Sequence, residues 1–223
     1  MCRDLPIITI DGPSGVGKGT VSRAVASRLG WHYLDSGAIY RCLAMAATAQ
    51  DVALDDEEQL IQLAKKITLC FELAEGSGEL SVMLNGSNVS ALIGTESCGS
   101  RASKIAVLPG VRAALLEKQQ NFAQKPGLVA DGRDMGSVVF ENAQFKFFLT
   151  ASAQERANRR YKQLKEKGMS ANLEKITREL IERDRRDSER SVAPLTAPSD
   201  AVIIDSSDMA VNEVIEMVMT NVS

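Results

Sequence analysis

Short apolar runs alternate with longer amphipathic segments along most of the chain. The runs predict buried strands at residues 5–10, 31–34, 128–130, 145–149 and 201–204. The segments between them repeat apolar residues at helical spacing, as Val21, Ala24, Val25 and Leu29 do. Because strands that are joined by helices form right-handed crossovers, the pattern predicts an α/β fold with a doubly wound parallel sheet of about five strands.

Capping residues and helix breakers set the expected ends of the helices. The first helix follows a glycine-rich run and stops at Gly30, and the second extends from Ser36 to about Ala49. Further helices are expected from Asp55 or Asp56 to Lys66, from Pro109 to about Gln124, at 153–167, at 172–187 and after Asp208.

One stretch departs from this alternation of strand and helix. Three β-like runs, at 67–73, 79–84 and 88–92, follow one another with hairpin signals between them. The signals are Gly76-Ser77-Gly78 and Asn85-Gly86. Consecutive hairpins form an antiparallel sheet, so the stretch predicts an insert on the main domain.

The composition is that of an ordinary globular domain, with 44% hydrophobic and 25% charged residues among 223. A net charge of −3 gives no overall attraction to nucleic acid or to an anionic membrane. Basic residues are concentrated late in the chain, where residues 155–190 hold 12 Lys and Arg against 8 Asp and Glu. The interleaved acids disfavour a nucleic-acid-binding arm, and the local positive charge is placed to meet phosphate.

The cysteines and the single histidine narrow the chemistry further. Cys2, Cys42, Cys70 and Cys98 form no CxxC pair, and His32 is the one histidine of the chain. This pattern argues against a zinc site and a disulfide framework, and it suits a reducing cytosol. The first apolar run is too short for a signal sequence, and no stretch approaches the roughly 18 apolar residues of a membrane span. A cytoplasmic protein without a membrane partner is therefore expected.

The strongest chemical signal is a glycine-rich segment between the first predicted strand and the first predicted helix. It comprises Gly12, Pro13, Ser14, Gly15, Val16, Gly17, Lys18, Gly19 and Thr20. Glycines let successive backbone N–H groups point inward at the positive end of a helix, which forms a nest for phosphate. Lys18 adds a cation for the β- and γ-phosphates of ATP, and the Thr20 hydroxyl can serve the shell of a Mg²⁺ ion. The segment predicts an ATP-binding P-loop.

The ending of this motif departs from the strict form. Gly19 follows Lys18, so the hydroxyl comes one place later, at Thr20. This GKGT ending is similar to that of nucleoside monophosphate kinases. The chain contains no NKxD motif for reading guanine, which argues against a regulatory nucleotide switch.

A second chemical signal is the segment 127–134, which contains Asp131, Arg133 and Asp134. Asp131 ends an apolar strand and should emerge at the carboxyl edge of the sheet, where the P-loop also opens. A carboxylate at that edge can hold magnesium, directly or through water. Asp131 and Thr20 are therefore the candidate metal-binding residues.

Arginines supply the third signal, because phosphoryl transfer needs cations that position two anions and offset their repulsion. The planar guanidinium also binds phosphate oxygens in pairs. The candidates are Arg41, Arg112, Arg133, Arg156, Arg159, Arg160, Arg183, Arg185, Arg186 and Arg190. Any one of them on a charged helix, Arg159 or Arg185 for example, is as easily a solvated surface residue.

Four stretches together resemble the bacterial cytidylate kinases, a family of P-loop nucleoside monophosphate kinases. They are ITIDGPSGVGKGT, LDSGAIYR, ADGRDMGSVVF and RDRRDSERSVAPL, in the same order and spacing. The resemblance implies transfer of the γ-phosphate of ATP, with Mg²⁺, to CMP or dCMP by a monomer. It also implies a core formed by 1–35, 109–152 and 171–223, a monophosphate-binding region at 36–108 with a β insert at about 67–92, and a lid at 153–170.

The same resemblance implies roles for single residues. Ser36, Arg41, Arg133 and Arg190 would bind the CMP phosphate, and Tyr40 would belong to the same site. Ser103, Arg112 and Asp134 would face the cytosine, and Arg183 and Asp187 would hold the ribose. The implied catalytic set is Lys18, Asp131, Arg133, Arg156 and Arg160, of which the last two would reach the transferring phosphate.

One segment departs from the family pattern, and one alternative stays open. Residues 93–99 carry Gly94 and Gly99 where related sequences have an arginine and an acidic-apolar pair, so a looser entry to the helix of Ser103 is expected. The alternative is a P-loop kinase for a different small acceptor, such as another monophosphate or a hydroxy acid.

Overall fold

The computed structural model describes residues 5–73, 80–166 and 168–222, without the side chain of Leu73. The strands in these residues are β1 (Ile7–Asp11), β2 (His32–Asp35), β3 (Leu69–Leu73), β4 (Leu80–Leu84), β5 (Ser87–Asn88), β6 (Leu128–Gly132), β7 (Phe145–Thr150) and β8 (Val202–Asp205). The helices are α1 (Lys18–Leu29), α2 (Ser36–Ala49), α3 (Glu57–Lys66), α4 (Ser90–Ile93), α5 (Glu96–Ile105), α6 (Pro109–Gln120), α7 (Ala153–Glu166), α8 (Leu173–Ser188) and α9 (Val211–Val222).

Five strands form one parallel sheet in the order β2-β6-β1-β7-β8, which confirms the predicted α/β class. Residues of β6 alternate between two buried clusters: Val129 lies in one, and Leu128 and Ala130 lie in the other. Helices therefore cover both faces of the sheet, as expected for strands that are apolar on both sides. Because the strands are parallel, Asp11, Asp35 and Asp131 all lie at the same edge.

A second sheet contains β3, β4 and β5 in antiparallel order, as the hairpin signals predict. Asn85 and Gly86 both have positive φ, 49° and 81°, which is the conformation of a tight hairpin turn. The other predicted turn, at 76–78, lies outside the described residues. The sheet packs beside the main domain, since Val82 and Leu84 are buried in the same cluster as α2 and α3.

The ends of the elements differ most from the prediction at three places. The strand predicted at 88–92 stops at Asn88, whose side chain accepts a hydrogen bond from the Ser90 N–H (3.0 Å), and α4 begins at Ser90. α6 ends at Gln120, short of Gln124. α9 begins at Val211 and is not capped by Asp208; the Glu213 carboxylate instead accepts from the Ala210 N–H (2.7 Å).

The entry to α5 is well formed, contrary to the looseness expected from Gly94 and Gly99. The Thr95 side chain accepts a hydrogen bond from the Cys98 N–H (3.2 Å) and caps the helix. Gly99 lies buried within α5, and its missing side chain makes room for arginines: a Cβ there would lie 3.1 Å from Arg41 Nη2 and 3.5 Å from Arg183 Nη1.

No helix in the described part of the chain is both long and apolar enough to cross a membrane.

Candidate active site

The P-loop connects β1 to α1 at the carboxyl edge of the sheet. Gly12, Gly15 and Gly17 have positive φ angles of 147°, 78° and 102°. Residues that carry a side chain rarely adopt these angles. At Gly12 a Cβ would also lie 2.1 Å from the Leu149 carbonyl oxygen on β7. The loop conformation therefore requires these glycines. The N-terminal end of α1, where a helix favours an anion, follows the loop directly.

Lys18 is the first residue of α1 and is buried, 6% exposed. Its Nζ donates to the Pro13 carbonyl oxygen (2.9 Å) and so lies across the loop. Burial, and next the charge of Arg133, lower the pKa of Lys18, while Asp131 and Asp11 act in the opposite direction. A bound polyphosphate would stabilise the charged ammonium, since it brings negative charge to a desolvated cation.

Asp131 lies beside the loop at the end of β6, paired in register with Asp35 at the end of β2. Its Oδ2 accepts a hydrogen bond from the Tyr33 hydroxyl (3.3 Å), and burial raises its pKa. A Cβ at Gly19 would lie 3.3 Å from the same oxygen. Glycine after Lys18 thus leaves room for the Asp131 carboxylate at the start of α1.

Thr20 lies exposed at the start of α1. Among the described residues no three acidic, cysteine or histidine side chains cluster as a metal site. The available donors near the loop are oxygens of Thr20, Asp131 and Asp35. They fit Mg²⁺, which is bound in such sites by one or two protein oxygens together with phosphate and water.

A groove of about 770 Å³ extends from the P-loop across the edge of the sheet. Seven Lys and Arg side chains and two carboxylates line it: Lys18, Arg23, Arg41, Arg133, Arg159, Arg160, Arg183, Asp35 and Asp131. Burial, and next the charge of Arg133, lower the pKa of Arg183 to about 10. The excess of crowded cations marks a site for a multiply charged anion.

A smaller pocket of about 60 Å³ adjoins the groove, and Gly37, Arg133 and Arg183 line both. It contains nine of the ten residues implied for CMP: Ser36, Tyr40, Ser103, Arg112, Arg133, Asp134, Arg183, Asp187 and Arg190. The tenth, Arg41, lines the groove, where its guanidinium donates to the carbonyl oxygens of Ile93 (2.6 Å) and Thr95 (3.4 Å).

Asp134 lies at one side of this pocket and is buried, 3% exposed. It forms an ion pair with Arg112, whose guanidinium lies 5.8 Å from the centre of the Tyr40 ring. Burial raises the pKa of Asp134, and the charges of Arg112 and Arg190 oppose that rise. The pocket therefore holds a desolvated carboxylate whose ionisation depends on neighbouring arginines.

Several buried polar atoms around the pocket have no hydrogen-bond partner among the described residues. They are the Tyr40 hydroxyl, the Ser103 hydroxyl, Arg183 Nε and Arg190 Nη2. A buried polar group without a partner costs free energy, so native proteins rarely keep one except where a ligand or water satisfies it. Their convergence indicates a polar ligand in this pocket.

Charged contacts fix the remaining walls of the pocket. Arg133 Nε donates to Asp187 Oδ2 (2.9 Å), and Arg190 Nε donates to the Asp187 carbonyl oxygen (3.1 Å). Burial acts to raise the pKa of Asp187, but the charges of Arg133, Arg183 and Arg190 hold it below its ordinary value. The Ser36 hydroxyl donates to Gln119 Oε1 (2.7 Å), so α6 orients the first residue of α2.

The three arginines of α7 occupy different places. Arg156 is 5% exposed and pairs with Asp184 (2.6 Å) and with the Ser14 carbonyl oxygen (2.8 Å), so it supports the P-loop from behind and does not line the groove. Arg160 lines the groove, as the resemblance implies for a residue that reaches phosphate. Arg159 lines the groove as well, and its guanidinium donates to the Ser206 carbonyl oxygen (2.5 Å).

Asp11 and Gln119 are two of the side chains that shape the site and that sequence reasoning missed. Both oxygens of Asp11 accept backbone hydrogen bonds, from Met135 (2.9 Å) and Gly136 (2.8 Å), at a π-helical turn over Met135–Val139. Burial raises the pKa of Asp11 to about 6. Gln119, which orients Ser36, is also buried. A carboxylate directly before a P-loop could have been noted, whereas nothing in the local sequence marks Gln119.

Part of the groove wall is apolar. Met209, Val211 and Val214 line it, after β8 and on the first turns of α9. Arg159 connects this segment to the P-loop, because it donates to the carbonyl oxygens of both Ser206 (2.5 Å) and Val16 (3.4 Å). An apolar wall beside a phosphate nest suits a flat heterocycle that is linked to phosphates.

The chain is similar to known proteins over almost its whole length. A family model described as "Cytidylate kinase" matches residues 8–223. The chain is 56% identical to a cytidylate kinase of Methylococcus capsulatus, over 97% of this chain and 96% of the relative. It is 52% identical to a cytidylate kinase of Colwellia psychrerythraea (98% and 96% covered) and 54% identical to one of Aeromonas salmonicida (96% and 92% covered).

Proposed function

The chain belongs to the cytidylate kinase family, and we propose that its groove and its small pocket are the two substrate sites of an ATP-dependent CMP kinase. The enzyme transfers the γ-phosphate of ATP to CMP, giving ADP and CDP, and dCMP is proposed as a second acceptor. The observation that carries the assignment of sites is the set of unpartnered buried polar atoms in a pocket that opens onto a cationic, P-loop-lined groove.

ATP is placed with its phosphates on the loop from Gly12 to Thr20 and its base against Met209 and Val211. Lys18 lies across that loop and would lie against the β- and γ-phosphates. The acceptor is itself a phosphate, whose oxygen is already ionised at neutral pH, so the reaction needs no general base. The task of the protein is to hold two anions in line and offset their charge.

CMP is placed in the small pocket with its phosphate toward the groove. Arg133 lines both cavities, so it is positioned between acceptor and donor phosphates, with Arg41 and Arg190 on the acceptor side. Arg160 approaches the same region from α7. Ser36 completes the phosphate site, and Arg183 and Asp187 are assigned to the ribose.

Asp134 is the residue proposed to distinguish cytosine from uracil. An ionised carboxylate only accepts hydrogen bonds, and cytosine offers a donor in its N4 amino group. Uracil presents an acceptor at the equivalent position and would leave the buried carboxylate unpaired, which can discriminate strongly between two substrates. Arg112, which pairs with Asp134, and Ser103, whose hydroxyl has no partner, fit the remaining polar edge of the base.

Mg²⁺ is the proposed cofactor, and it would offset the charge that develops between the β- and γ-phosphates. Thr20 and Asp131 are the residues that would hold it, through water in the case of Asp131. Tyr33 orients the Asp131 carboxylate toward that task by its hydrogen bond.

The proposed division of the chain follows the same assignments. Residues 36–108 hold the monophosphate with the β insert at about 67–92, and 153–170 form a lid on the core. Leu164 of α7 packs with Ile176 of α8, so the proposed lid contacts the part of the core that follows it along the chain. One chain supplies every proposed site residue, which supports action as a monomer. The proposed compartment is the cytoplasm.

Arg190→Ala tests the acceptor phosphate site. We expect the KM for CMP to rise about 10- to 100-fold, because hydrogen bonds to a charged group contribute about 1.5–3 kcal/mol. The KM for ATP should change by less than about twofold, since Arg190 lines only the small pocket. Initial rates at varied CMP and ATP give both constants. Arg133→Ala should also weaken CMP more than ATP.

Arg185→Ala is the matched control, because Arg185 is exposed on α8 and pairs only with surface glutamates in the described residues. It should leave both KM values unchanged. If Arg190→Ala raised the KM for ATP as much as the KM for CMP, the assignment of Arg190 to the CMP phosphate would be wrong.

A further inference from the structure

Glu96 and Arg160 meet beside the groove, although they lie on separate elements. Glu96 is the first residue of α5, and Arg160 lies in the middle of α7. Arg160 Nη2 and Glu96 Oε1 are 2.5 Å apart, and Arg160 Nη1 donates to Gln163 Oε1 (2.6 Å). Of the ion pairs within the described ranges, this one joins α7 to α5.

The surroundings of Glu96 favour an anion. Arg183 and Arg41 both lie against α5 where Gly99 leaves room, and Glu96 acts to raise the pKa of Arg183. The first turn of a helix further favours negative charge through the exposed N–H groups. The Glu96 carboxylate therefore occupies a place where cations from α2, α7 and α8 converge.

The contact is one that phosphate can displace. The side chain of Glu96 is 56% exposed and that of Arg160 is 25% exposed, and exposed ion pairs contribute little to stability. Arg160 Nε has no partner among the described residues, so the guanidinium is not fully satisfied by Glu96 and Gln163. Phosphate offers stronger, paired hydrogen bonds to a guanidinium than one carboxylate oxygen does.

We infer that Glu96 is a placeholder anion, which holds Arg160 beside the groove until the γ-phosphate of ATP replaces it. The inference rests on the proposed placement of ATP in the groove and deepens it. Because the carboxylate competes for Arg160, Glu96 lowers the apparent affinity for a triphosphate, and it leaves the affinity for a diphosphate unchanged. Glu96 is in this sense a positioning residue that tunes the preference between ATP and ADP.

The test is the ratio of dissociation constants for ADP and ATP, measured by calorimetric titration of the full chain with Mg²⁺ and without CMP. Glu96→Gln should tighten ATP about two- to fivefold and leave ADP unchanged, because a marginally stable ion pair reduces the competent fraction of Arg160 by about that factor. The ratio therefore rises by the same factor. Glutamine keeps the size of the side chain and removes only its charge.

Two further variants separate competition from a structural role. In an Arg160→Ala background, Glu96→Gln should leave the ratio unchanged, because the arginine for which the two anions compete is gone. Glu182→Gln removes an equally exposed carboxylate that pairs with Arg185 on α8, away from the groove, and should also leave the ratio unchanged.

A ratio that stays constant or falls in Glu96→Gln would contradict the inference. So would an equal rise in the Arg160→Ala background. Neither result depends on CMP, so failure of this inference is distinguishable from failure of the proposed function, which a lack of CMP phosphorylation by the wild-type enzyme would show.

Discussion

Lys18→Ala is expected to reduce kcat for CMP phosphorylation on the order of 10²–10³-fold, the usual effect of removing one preorganised charge from a transition state. Lys18 Nζ lies across the P-loop, where it donates to the Pro13 carbonyl oxygen. The measurement is a steady-state assay with ATP and CMP at saturation. A variant that kept more than about a tenth of wild-type activity would show that the P-loop mechanism is wrong.

Burial of Lys18 makes a control for folding necessary. Only 6% of the residue is exposed, so alanine removes packed methylene groups as well as charge. Lys18→Met keeps most of the apolar stem and should lose activity to the same extent with a melting temperature near that of the wild type. Lys175→Ala, which changes an exposed lysine paired with Glu179, should be fully active.

Asp134→Asn is expected to reduce the preference of the enzyme for CMP over UMP. An amide can turn either its donor or its acceptor toward the ligand, so it can pair with cytosine or with uracil. CMP should lose about 1–3 kcal/mol of transition-state binding, or about 5- to 150-fold in kcat/KM. The kcat/KM for UMP should fall less than that for CMP, or rise, because the variant no longer places an unpaired carboxylate against uracil. The measured quantity is the ratio of kcat/KM for CMP over UMP.

Asp134 forms an ion pair with Arg112, so this experiment needs a control for damage to the pocket. Loss of the carboxylate leaves the buried Arg112 without that partner, so some of the loss for CMP comes from the pocket itself. A purely structural defect would reduce kcat/KM for CMP and UMP alike, and the ratio would then stay constant. A constant ratio would mean that Asp134 does not face the base.

The parts of the fold and the site that depend on local pattern could be predicted from the sequence. In the sequence, apolar runs mark the buried strands, and glycines with a lysine between a strand and a helix mark the P-loop. Asp131 could be placed beside that loop because parallel strands bring their carboxyl ends to one edge. These inferences use neighbouring residues and one rule of topology.

Contacts between distant residues could not be predicted in this way. The three arginines of α7 look equivalent along the chain, yet Arg156 is buried behind the P-loop while Arg159 and Arg160 line the groove. Their separation follows from how α7 packs against α8 and the P-loop. Asp11, which holds the turn after Asp134, lies more than a hundred residues from the backbone it binds.

The segment 93–99 shows how a correct observation led to a wrong expectation. Two glycines in a short stretch suggest mobility, but Thr95 caps α5 and Gly99 is buried inside it. Gly99 serves close approach, since a side chain there would contact the guanidinium of Arg41. Whether a glycine loosens a chain or admits a neighbour depends on tertiary packing, which sequence spacing does not reveal.

The most direct test of the account is the acceptor specificity of the purified chain with ATP and Mg²⁺. Phosphorylation of CMP, dCMP, UMP and AMP should be compared by kcat/KM under one set of conditions. The proposed pocket predicts CMP as the best acceptor, dCMP as a second acceptor, and UMP and AMP weaker by orders of magnitude. Equal or better use of UMP or AMP would contradict the assignment of Asp134 and Arg112 to cytosine.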